Sequence, residues 1–537
     1  MQSIGKKTLS PRKNKIRSMA ILHNQSTCNT LFQRSLVLIC LLVPIGSAAQ
    51  TEGNQVFGVD QIIQVDVVFP DDNFWNELEA EYDGEQNYLA AQVSLLGVNG
   101  MEVIDSVGIR LKGNSSMFHP GNKKSFKIDF NEFVSGQAYD GLKKLNFSNG
   151  FKDPTFIREK IFLDVCQEAG ILAPRANFAE VTFNGEPWGF YTIVEQIDDQ
   201  FLDQSIGDDD GNLFKAGSNF GGGDGEASLE YLGSNQASYT SSYVLKNNEE
   251  EDDWGDLIDF VDFINNSSDA VFESELGAWL DLNAYLRSAA LDNLFSNLDT
   301  YTLSARNYYI YHNTTSGLWE WIKWDANEVF GSYAMGVGGS MTTLDLDFDG
   351  GNENRPLLQR ILQNEALLNA YYAEMCELRA QWFNPEFLEP RMDALKALIE
   401  DAVLADGNKM YSNNQFQNNF NMDQGGMGGS LYGLKPFVQD RVAYMDQQLD
   451  CTPSSDVLDF ATETTLVFPN PAAHEVTIVP HPVASGLRIV DSMGREMCLL
   501  ECSESILIDV SSWSNGVFWV QSLRDGAPVT IPLIVQH

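Results

Sequence analysis

Two aspartates, each at a point where a predicted regular element ends, are the side chains best suited to catalysis. Asp299 follows a predicted helix in FSNLDTY, and Asp325 ends a predicted strand in WIKWDANEVFG. If they meet at a cleft, one carboxylate can accept a proton from a hydroxyl group and the other can hold a divalent metal ion. Asn307 lies between them and offers a neutral oxygen ligand for Mg²⁺. Helix capping and turn formation also explain aspartates at such positions, so both interpretations stay open.

A group of basic side chains stands out against an acidic sequence. It lies in GIRLKGNSS and in NKKSFKIDF and consists of Arg110, Lys112, Lys123, Lys124 and Lys127. The backbone amides of a Gly and Ser turn, together with a Lys ammonium group, suit a phosphate group, although most such turns only connect strands. Lys127 alternates with Phe126 and Ile128, so it faces away from the core if those two residues pack inside.

A third motif, DLDFDG, matches the opening positions of a calcium-binding loop. Its acidic residues are Asp345, Asp347 and Asp349. The twelfth position is Pro356 instead of the bidentate Glu, so a solvated acidic loop is the favoured interpretation and Ca²⁺ binding the minor one.

The elements that must position these residues form a β-rich half followed by a helical half. Alternating apolar and polar residues predict strands at 61–70, 90–98, 101–113 and 123–130, arranged as a meander. A helix is predicted to start at Asp153 and Pro154 and to end at Gly170. Two further strands flank the turn at Asn184 and Gly185.

The helical half contains amphipathic patterns interrupted by one predicted hairpin. Helices are predicted at 278–295, 356–383, 391–406 and 437–449, and a hairpin at 307–325. A β-rich half followed by a helical half suggests two lobes with a cleft between them.

Composition excludes several functional classes. The 537-residue chain has 34 basic and 75 acidic side chains, for a net charge of −41. Seven of the basic residues lie in the first 49 positions, so the remainder has a net charge of −48. Such a surface repels nucleic acid and anionic lipid, so neither is an expected partner. Solubility after export is a sufficient reason for the charge, which therefore identifies no substrate.

Both ends of the chain indicate export. Basic residues, an apolar run from Ser35 to Ile45 and small residues up to Ala49 predict a signal peptide at 1–49. The run is too short for a confident membrane span, and no other segment could serve as a transmembrane anchor. A polar linker at 451–463 precedes a short β-only unit at 464–537, which has the pattern of a small sandwich.

The cysteines do not form a disulfide scaffold, because five are spread over the mature chain. Cys498 and Cys502 are close enough in sequence to pair. Cys166 and Cys376 lie in apolar helical contexts and are expected to be buried thiols.

The order of these segments resembles the CotH kinase family, an atypical branch of the protein-kinase-like fold. The resemblance covers about residues 56–450 and rests on RLKGNSS, KKSFKIDF, LKKLNFSNGFKDPTFIREKIFLDVCQEAG, NGEPWGFYTIVEQID, NLDTY, RNYYIY, WIKWD, PLLQRIL and RVAYMDQQL. It implies an α+β fold with a β-rich N-lobe and a helical C-lobe. It also implies phosphorylation of Ser or Thr hydroxyls on proteins outside the cytoplasm, with ATP and Mg²⁺ or Mn²⁺ as cofactors.

The resemblance also assigns roles to individual residues. Asp299 corresponds to the catalytic-loop carboxylate and Asp325 to the metal-binding aspartate. Lys127, with Arg110 and Lys112 nearby, would contact the nucleotide phosphates.

Two acidic residues complete the expected nucleotide site. Glu159 or Arg158 would orient Lys127, and Glu195 would lie near the hinge. The family's Trp, Asp, Leu, Asp appears here as Trp324, Asp325, Ala326 and Asn327, so one metal carboxylate is replaced by an amide. The amide oxygen of Asn327 can still bind a metal ion, with less charge.

The last ~70 residues resemble the C-terminal sorting domain of the type IX secretion system, through FPNPAAHEVTI, LRIVDSMGRE and IDVSSWSNGVFWV. The type IX machinery is therefore an expected partner, and passage through the periplasm and outer membrane to the cell surface or medium is the expected route.

Two functions remain in competition after this comparison. The first is a secreted metal-dependent protein kinase, favoured by the presence of both Asp299 and Asp325. The second is a surface adhesin or structural protein that uses the same fold without catalysis, for which Asn327 and the acidic insertions leave room. A glycosidase with paired carboxylates is disfavoured because it leaves the basic group unexplained.

Overall fold

The computed structural model describes residues 52–119, 121–217, 226–426 and 429–451, and most strand residues of the C-terminal segment. The predicted signal peptide at 1–49 lies outside the described residues, as does the predicted linker beyond Cys451.

The first seven strands close into a barrel. They are β1 (Ile62–Val68), β2 (Leu89–Gly97), β3 (Gly100–Lys112), β4 (Ser125–Asp129), β5 (Lys144–Ser148), β6 (Ala176–Phe183) and β7 (Glu186–Glu195). Their order around the barrel is β1-β2-β3-β4-β5-β7-β6. Every pair is antiparallel except β1 and β6, whose parallel pairing closes the ring.

The predicted meander is confirmed by β1 to β5, which pair in chain order, and the structure adds that the sheet closes into a barrel. The strands were recognised by their alternation, and inward residues such as Val65, Ile109 and Phe126 form a buried core. Closure depends on β1 pairing with β6, more than 100 residues later, and alternation gives no sign of that pairing. Closure leaves no free strand edge in this sheet.

A second, antiparallel sheet and the helices make up the rest of the main domain. The sheet has the order β11-β10-β8-β9 and contains β8 (Leu213–Ala216), β9 (Tyr243–Leu245), β10 (Tyr308–His312) and β11 (Trp319–Lys323). A two-stranded hairpin consists of β12 (Gln424–Gly426) and β13 (Gly429–Leu431). The pairing of β10 with β11 confirms the predicted hairpin at 307–325.

The helices of the described residues lie mainly after the second sheet begins. They are α1 (Asn54–Phe57), α2 (Phe74–Asp83), α3 (Arg158–Glu168), α4 (Asp199–Ser205), α5 (Gly255–Asn266), α6 (Asp269–Glu275), α7 (Leu282–Leu294), α8 (Pro356–Gln363), α9 (Glu365–Gln381), α10 (Pro385–Ala405), α11 (Asn413–Asn418) and α12 (Leu434–Gln448). The predicted helix at 356–383 is two helices, because Asn364 is extended and caps α9 through its side chain. The mixed α+β composition is confirmed.

Helix α3 begins later than the sequence predicts. Residues 154–156 form a turn in which Phe156 has a φ of 60°, so Pro154 is not in the first helical turn. Asp153 still supports the helix from outside, since its carboxylate accepts the backbone N–H of Arg158 at 2.8 Å. The helix ends as predicted before Gly170, whose φ of 74° suits a glycine.

A buried ion pair joins the barrel to helix α10. Lys123 Nζ, just before β4, lies 2.5 Å from Asp406 Oδ2, and neither side chain is more than 1% exposed. Asp406 also accepts the N–H of Phe190 in β7 at 3.0 Å. A Cβ at Gly189 would lie 3.0 Å from the carboxylate, so glycine allows this approach. The pair fixes two barrel strands to the helical part of the molecule.

The C-terminal segment forms two small antiparallel sheets. One has the order β14-β15-β18, with β14 (Leu466–Phe468), β15 (Glu475–Val479) and β18 (Ile506–Asp509). The other has the order β17-β16-β19-β20, with β16 (Ala484–Asp491), β17 (Glu496–Leu500), β19 (Gly516–Arg524) and β20 (Ala527–Val535). Buried side chains of both sheets, including Val476 and Phe518, share one core. The all-β character of this unit is confirmed.

Cys376 is not a free thiol, contrary to expectation. It forms a disulfide with Cys451, 75 residues later, which ties α9 to the chain just after α12. The apolar helical context of Cys376 gave no indication of its partner. Cys166 is a buried thiol, as expected, and the proposed partner Cys502 lies outside the described residues. A disulfide here agrees with an oxidising compartment.

The ion pair generates the first prediction. Asp406→Ala leaves the Lys123 ammonium group buried without its partner, so we expect a loss of about 3–5 kcal/mol in the free energy of unfolding. Asp393→Ala is the matched control, because its pair with Lys435 has a carboxylate that is 61% exposed and loses at most about 1 kcal/mol. Urea denaturation of both variants measures the difference. Equal losses would contradict the structural role assigned to Asp406.

The disulfide generates the second prediction. Cys451→Ser is expected to lower the free energy of unfolding by about 2–4 kcal/mol, because the bond closes a long loop and restricts the unfolded chain. A reductant should bring the wild type to the stability of the variant and leave the variant unchanged. Thermal melts with and without reductant measure this. Alkylation of both cysteines in unreduced, denatured wild type would show that the bond is absent.

Candidate active site

Three side chains from separate elements meet around Asp325. Lys112 is the last residue of β3, Glu159 lies in the first turn of α3, and Asp325 follows β11. Asp325 and Glu159 both act electrostatically on Lys112 and on each other. Lys112 also donates to Asn146 Oδ1 at 3.2 Å and lies 5.1 Å from the centre of the Trp324 ring. The structure therefore brings a lysine and two carboxylates together at the barrel end.

Burial controls the protonation of this group. It raises the pKa of Glu159 to about 7, and the charge of Asp325 acts in the same direction. Lys112 opposes that rise, as do hydrogen bonds to Glu159 from the Ser148 side chain and the Ala326 backbone. Burial lowers the pKa of Lys112, against the attraction of Asp325 and then Glu159. Burial of Glu159 strengthens the interactions that it makes.

Asp299 lies within electrostatic range of Asp325. The Asn307 amide nitrogen donates to the Asp299 backbone oxygen at 2.9 Å and to its Oδ2 at 3.0 Å. Burial raises the pKa of Asp299, and Asp325 adds to the rise, whereas a bond from Ser304 and the charges of Arg306 and Lys152 lower it. Asp325 therefore acts electrostatically on Asp299, and the meeting of the two aspartates at a cleft stays a prediction.

The backbone holds both sides of the site in an uncommon conformation. Asn307 has a φ of 57° and Asp325 a φ of 53°, in the left-handed region that non-glycine residues rarely occupy. Such conformations persist where surrounding contacts fix them and occur often at functional sites. The loop before Asn307 is fixed in part by Arg355, whose guanidinium donates to the Leu303 carbonyl.

Glu328 and Lys152 are members of the site that sequence analysis missed. Their side chains form an ion pair of 2.6 Å, with the Glu328 side chain only 5% exposed. Burial, followed by the charge of Asp299, raises the pKa of Glu328 to about 8, and Asp325 contributes further. The sequence offered one signal for Glu328: it directly follows Asn327, the position at which the family pattern has an aspartate. We call Lys112, Lys152, Glu159, Asp299, Asp325 and Glu328 the carboxylate and lysine cluster.

The oxygen donors of this cluster fit a hard divalent cation. Asp325 and Asp299 supply carboxylates, and Asn307 points its amide nitrogen at Asp299, which leaves its oxygen as the ligand atom. Asn327 likewise uses its nitrogen, which donates to the Phe151 carbonyl at 2.9 Å. No group of three or more His, Cys, Asp or Glu residues suited to a metal ion occurs in the described parts of the chain. Substrate phosphates or water would therefore have to complete the shell.

The predicted basic residues divide into two sets. Lys123 is committed to Asp406, and Lys124 donates to the Met117 carbonyl at 2.8 Å, so both have structural roles. Arg110, Lys112 and Lys127 stay together: Arg110 lies directly opposite Lys127 on the neighbouring strand, and Lys112 lies two residues further along the same face. A polar cavity of about 300 Å³ borders Arg110, Lys112 and Gly113.

Lys127 lies among other cations. Glu159 acts electrostatically on Lys112, and its expected role in orienting Lys127 stays a prediction. Burial and four neighbouring cations hold the pKa of Lys127 well below its usual value. Arg158, the other expected partner, is fully buried and donates to the Asn419 side chain at 2.8 Å and to the Tyr432 carbonyl at 2.7 Å. A role for Lys127 in phosphate binding stays a prediction.

Two other predicted positions lie apart from the cluster. Glu195 receives hydrogen bonds from the Arg175 backbone and Nε, each at 3.0 Å, so its carboxylate is engaged outside the cluster. Its location near a hinge stays a prediction. In the DLDFDG loop, Tyr444 donates to Asp345 and Gly351 donates to Asp349. Calcium binding by Asp345, Asp347 and Asp349 also stays a prediction.

Comparison with known proteins identifies two regions. The sequence matches the family described as CotH kinase protein over residues 109–445 and the one described as secretion system C-terminal sorting domain over residues 466–536. It is 29% identical over 289 residues to the inner spore coat protein H of Bacillus subtilis (strain 168), which covers 53% of this chain and 74% of that protein. Among solved structures, the Helicobacter pylori proinflammatory kinase CtkA is similar, with 10% identity, a TM-score of 0.22 and coverage of 52% of this chain and 92% of that one.

The family matches define a kinase-like protein that is secreted or displayed at the cell surface. The chain belongs to the CotH kinase protein family, and its last segment is a sorting domain of the kind handled by the type IX secretion machinery. Both resemblances recognised in the sequence are confirmed. Among the described residues, no helix is long and apolar enough to cross a membrane.

Glu328 generates the third prediction. Its pKa of about 8 exceeds the usual 4.5, so the folded protein binds more protons than the unfolded chain between these values. Stability must therefore fall as pH rises through this window. Glu328→Gln is expected to reduce that fall, which urea denaturation at a series of pH values measures.

Glu353→Gln is the matched control for this series. Glu353 is 3.9 Å from Arg355 and its side chain is 44% exposed, so its removal should leave the pH dependence unchanged. A parallel shift of the Glu328→Gln curve, with the same slope as the wild type, would contradict the buried environment described for Glu328.

Proposed function

We propose that this protein is a secreted, metal-dependent protein kinase that transfers the γ-phosphoryl group of ATP to Ser or Thr hydroxyls of extracytoplasmic proteins. The observation that carries the proposal is that Lys112 and Glu159 lie within electrostatic range of Asp325, and Asp325 within range of Asp299. In phosphoryl transfer, a lysine that orients phosphates, a metal-binding carboxylate and a proton-accepting carboxylate are the parts required. In this proposal the barrel and the helical part act as the two lobes of a kinase.

The residues take distinct roles in this mechanism. Lys112, held by Glu159, binds the donor phosphates, with Arg110 and Lys127 on the same strand face. Asp299 accepts the proton of the attacking hydroxyl group, and the Asn307 amide fixes the orientation of its carboxylate. Because Asp299 is buried, its charged form is poorly solvated and it is a better base than an exposed aspartate.

Asp325, Asn307 and Asn327 are the residues that would hold Mg²⁺ or Mn²⁺. The cation would neutralise charge on the transferred phosphoryl group. Asn327 supplies no negative charge, but Glu328 places a carboxylate in the electrostatic range of both Asp299 and Asp325. With its pKa raised to about 8, Glu328 is charged mainly above that pH, and there it supports retained activity despite the amide at 327.

An adhesin or structural protein on the same fold is the alternative. The observation that favours it is Asn327, whose amide bonds the Phe151 carbonyl and leaves the site with one metal carboxylate fewer than the family pattern. In that case the cluster would be a remnant that binds no nucleotide.

Phosphate transfer from radiolabelled ATP to a generic protein substrate, with Mn²⁺ or Mg²⁺, gives the fourth prediction. Asp325→Ala and Asp299→Asn should each reduce incorporation at least about 100-fold, because each removes a group that acts on the reacting atoms. Asp393→Asn, at an exposed ion pair, is the control and should retain full activity. Equal incorporation by wild type and Asp325→Ala would exclude this mechanism, and no incorporation with no nucleotide binding would favour the adhesin.

A further inference from the structure

Four cationic side chains share one outward face of the barrel. Arg110 and Lys112 alternate along β3, Lys127 lies opposite Arg110 on β4, and Asn146 of β5 lies opposite Lys127. Lys144 is two residues before Asn146 and therefore projects from the same face. The neighbouring residues Phe126 and Ile128 are buried in the barrel core, which confirms that Lys127 faces outward. Like charges directly opposite on paired strands destabilise a sheet, so this arrangement has no structural benefit.

Two further cations come from the second sheet. Lys215 lies in β8, and Lys246 follows β9 directly. Lys112, Lys246 and Arg110 all act on Lys215, whose pKa is lowered to about 8 by burial and then by Lys112. Lys144 and Arg110 act on Lys246 in the same way. Lys112 of the barrel and Lys215 of the second sheet also lie against the same ring, with Nζ atoms 5.1 and 5.8 Å from the centre of Trp324. The six cations of the two sheets therefore belong to one group, which we call the basic site.

The basic site has few partners of its own. Within the parts of the chain that the structure describes, Lys144 is the only one of the six that forms an ion pair, at 3.8 Å from Asp129. Lys127 is surrounded mainly by cations. The buried Nε atom of Arg110 has no hydrogen-bond partner among the described residues. Asp325 acts on Lys112 and Lys215, and Glu249 acts on Lys246, but none of these carboxylates forms an ion pair with its lysine among the described residues. Six neighbouring cations with a single long ion pair point to an anionic ligand.

We propose that the basic site binds a linear chain of three or more phosphoryl groups and recognises that chain through its phosphates. The inference rests on the proposed function in placing the phosphoryl donor here. It extends the expected phosphate contacts of Arg110, Lys112 and Lys127 to Lys144, Lys215 and Lys246. A triphosphate spans several phosphoryl groups, and six ammonium and guanidinium groups on two sheets suit such an extended anion better than a single phosphate.

This recognition has a consequence for the donor. If most of the binding free energy comes from charge-assisted bonds to phosphates, a nucleobase contributes little, and inorganic triphosphate or polyphosphate can occupy the same site. ATP and inorganic triphosphate present the same chain of phosphoryl groups to the site. Adenosine has the base without the phosphates, so its binding measures the contribution of the base alone.

Isothermal titration calorimetry of the full secreted chain with ATP, inorganic triphosphate and adenosine tests the proposal. Triphosphate is expected to bind within about tenfold of ATP, and adenosine to show no binding. Lys215→Gln and Lys246→Gln should each weaken both triphosphate and ATP by about tenfold, because each removes one charged contact. Lys435→Gln, in an exposed ion pair on α12, is the control and should change neither affinity. Triphosphate binding that is absent, or that Lys215→Gln leaves unchanged, would overturn the proposal.

A second measurement is thermal melting with and without triphosphate. Removal of one cation relieves repulsion in the free protein, so Lys127→Gln and Lys215→Gln should raise the melting temperature without anion and reduce the increase that triphosphate causes. Destabilised variants with an unchanged triphosphate effect would contradict the proposal. Failure of the proposed function gives a different result: triphosphate still binds through Lys215, but no phosphate is transferred from ATP.

Discussion

The site depends on the position of one carboxylate. Asp325 follows strand β11 in a left-handed conformation and from there acts electrostatically on Lys112, Glu159 and Asp299. Each of these side chains is supplied by a different element, so the interaction exists only if barrel, helix α3 and second sheet are correctly placed. Asp325 itself is exposed, but Glu159 is buried, so an error of placement would leave the Glu159 carboxylate without the cation that offsets its burial, which costs several kcal/mol. The same constraint explains why the surrounding backbone is fixed by many polar contacts.

Those contacts are made by buried cations, which bind carboxylate, backbone and amide oxygens. Lys123 fixes barrel to α10 through Asp406, Arg158 ties the start of α3 to Asn419 and Tyr432, and Arg441 of α12 donates to Asn293 of α7 at 2.5 Å. A buried guanidinium is expensive to desolvate and can satisfy several acceptors at fixed angles. Its benefit here is geometric: it fixes which surfaces meet. The basic residues of the chain therefore have two roles. Some join packed elements inside the molecule, and others form the half-buried basic site.

Local patterns predicted much of this structure, and long-range pairing accounts for most of the rest. Alternation located β3, β4, β10 and β11, and Asn184 and Gly185 form the predicted turn with φ values of 49° and 82°. Alternation also showed that Lys127 faces outward. It could not show that Glu159 would meet Lys112, because that depends on how α3 crosses the barrel end. The ring closure by β1 and β6, the Cys376 and Cys451 bond, and the Lys152 and Glu328 pair all join distant residues. Their partners have ordinary local contexts, so a single sequence gives no signal of them.

The contrast between the whole surface and the basic site bears on selectivity. A net charge of −41 repels anions over most of the molecule, so a long polyanion that must lie along the surface, such as nucleic acid, meets repulsion beyond the site. A short phosphate chain can lie within the site and contact the cations of both sheets while it escapes most of that repulsion. Salt screens the distant acidic charges more effectively than the half-buried cations. Selection by charge would therefore be sharpest at low ionic strength, whereas contact with the phosphates would persist as salt rises. The acidic composition, which sequence analysis explained by solubility alone, therefore also limits which anions reach the basic site.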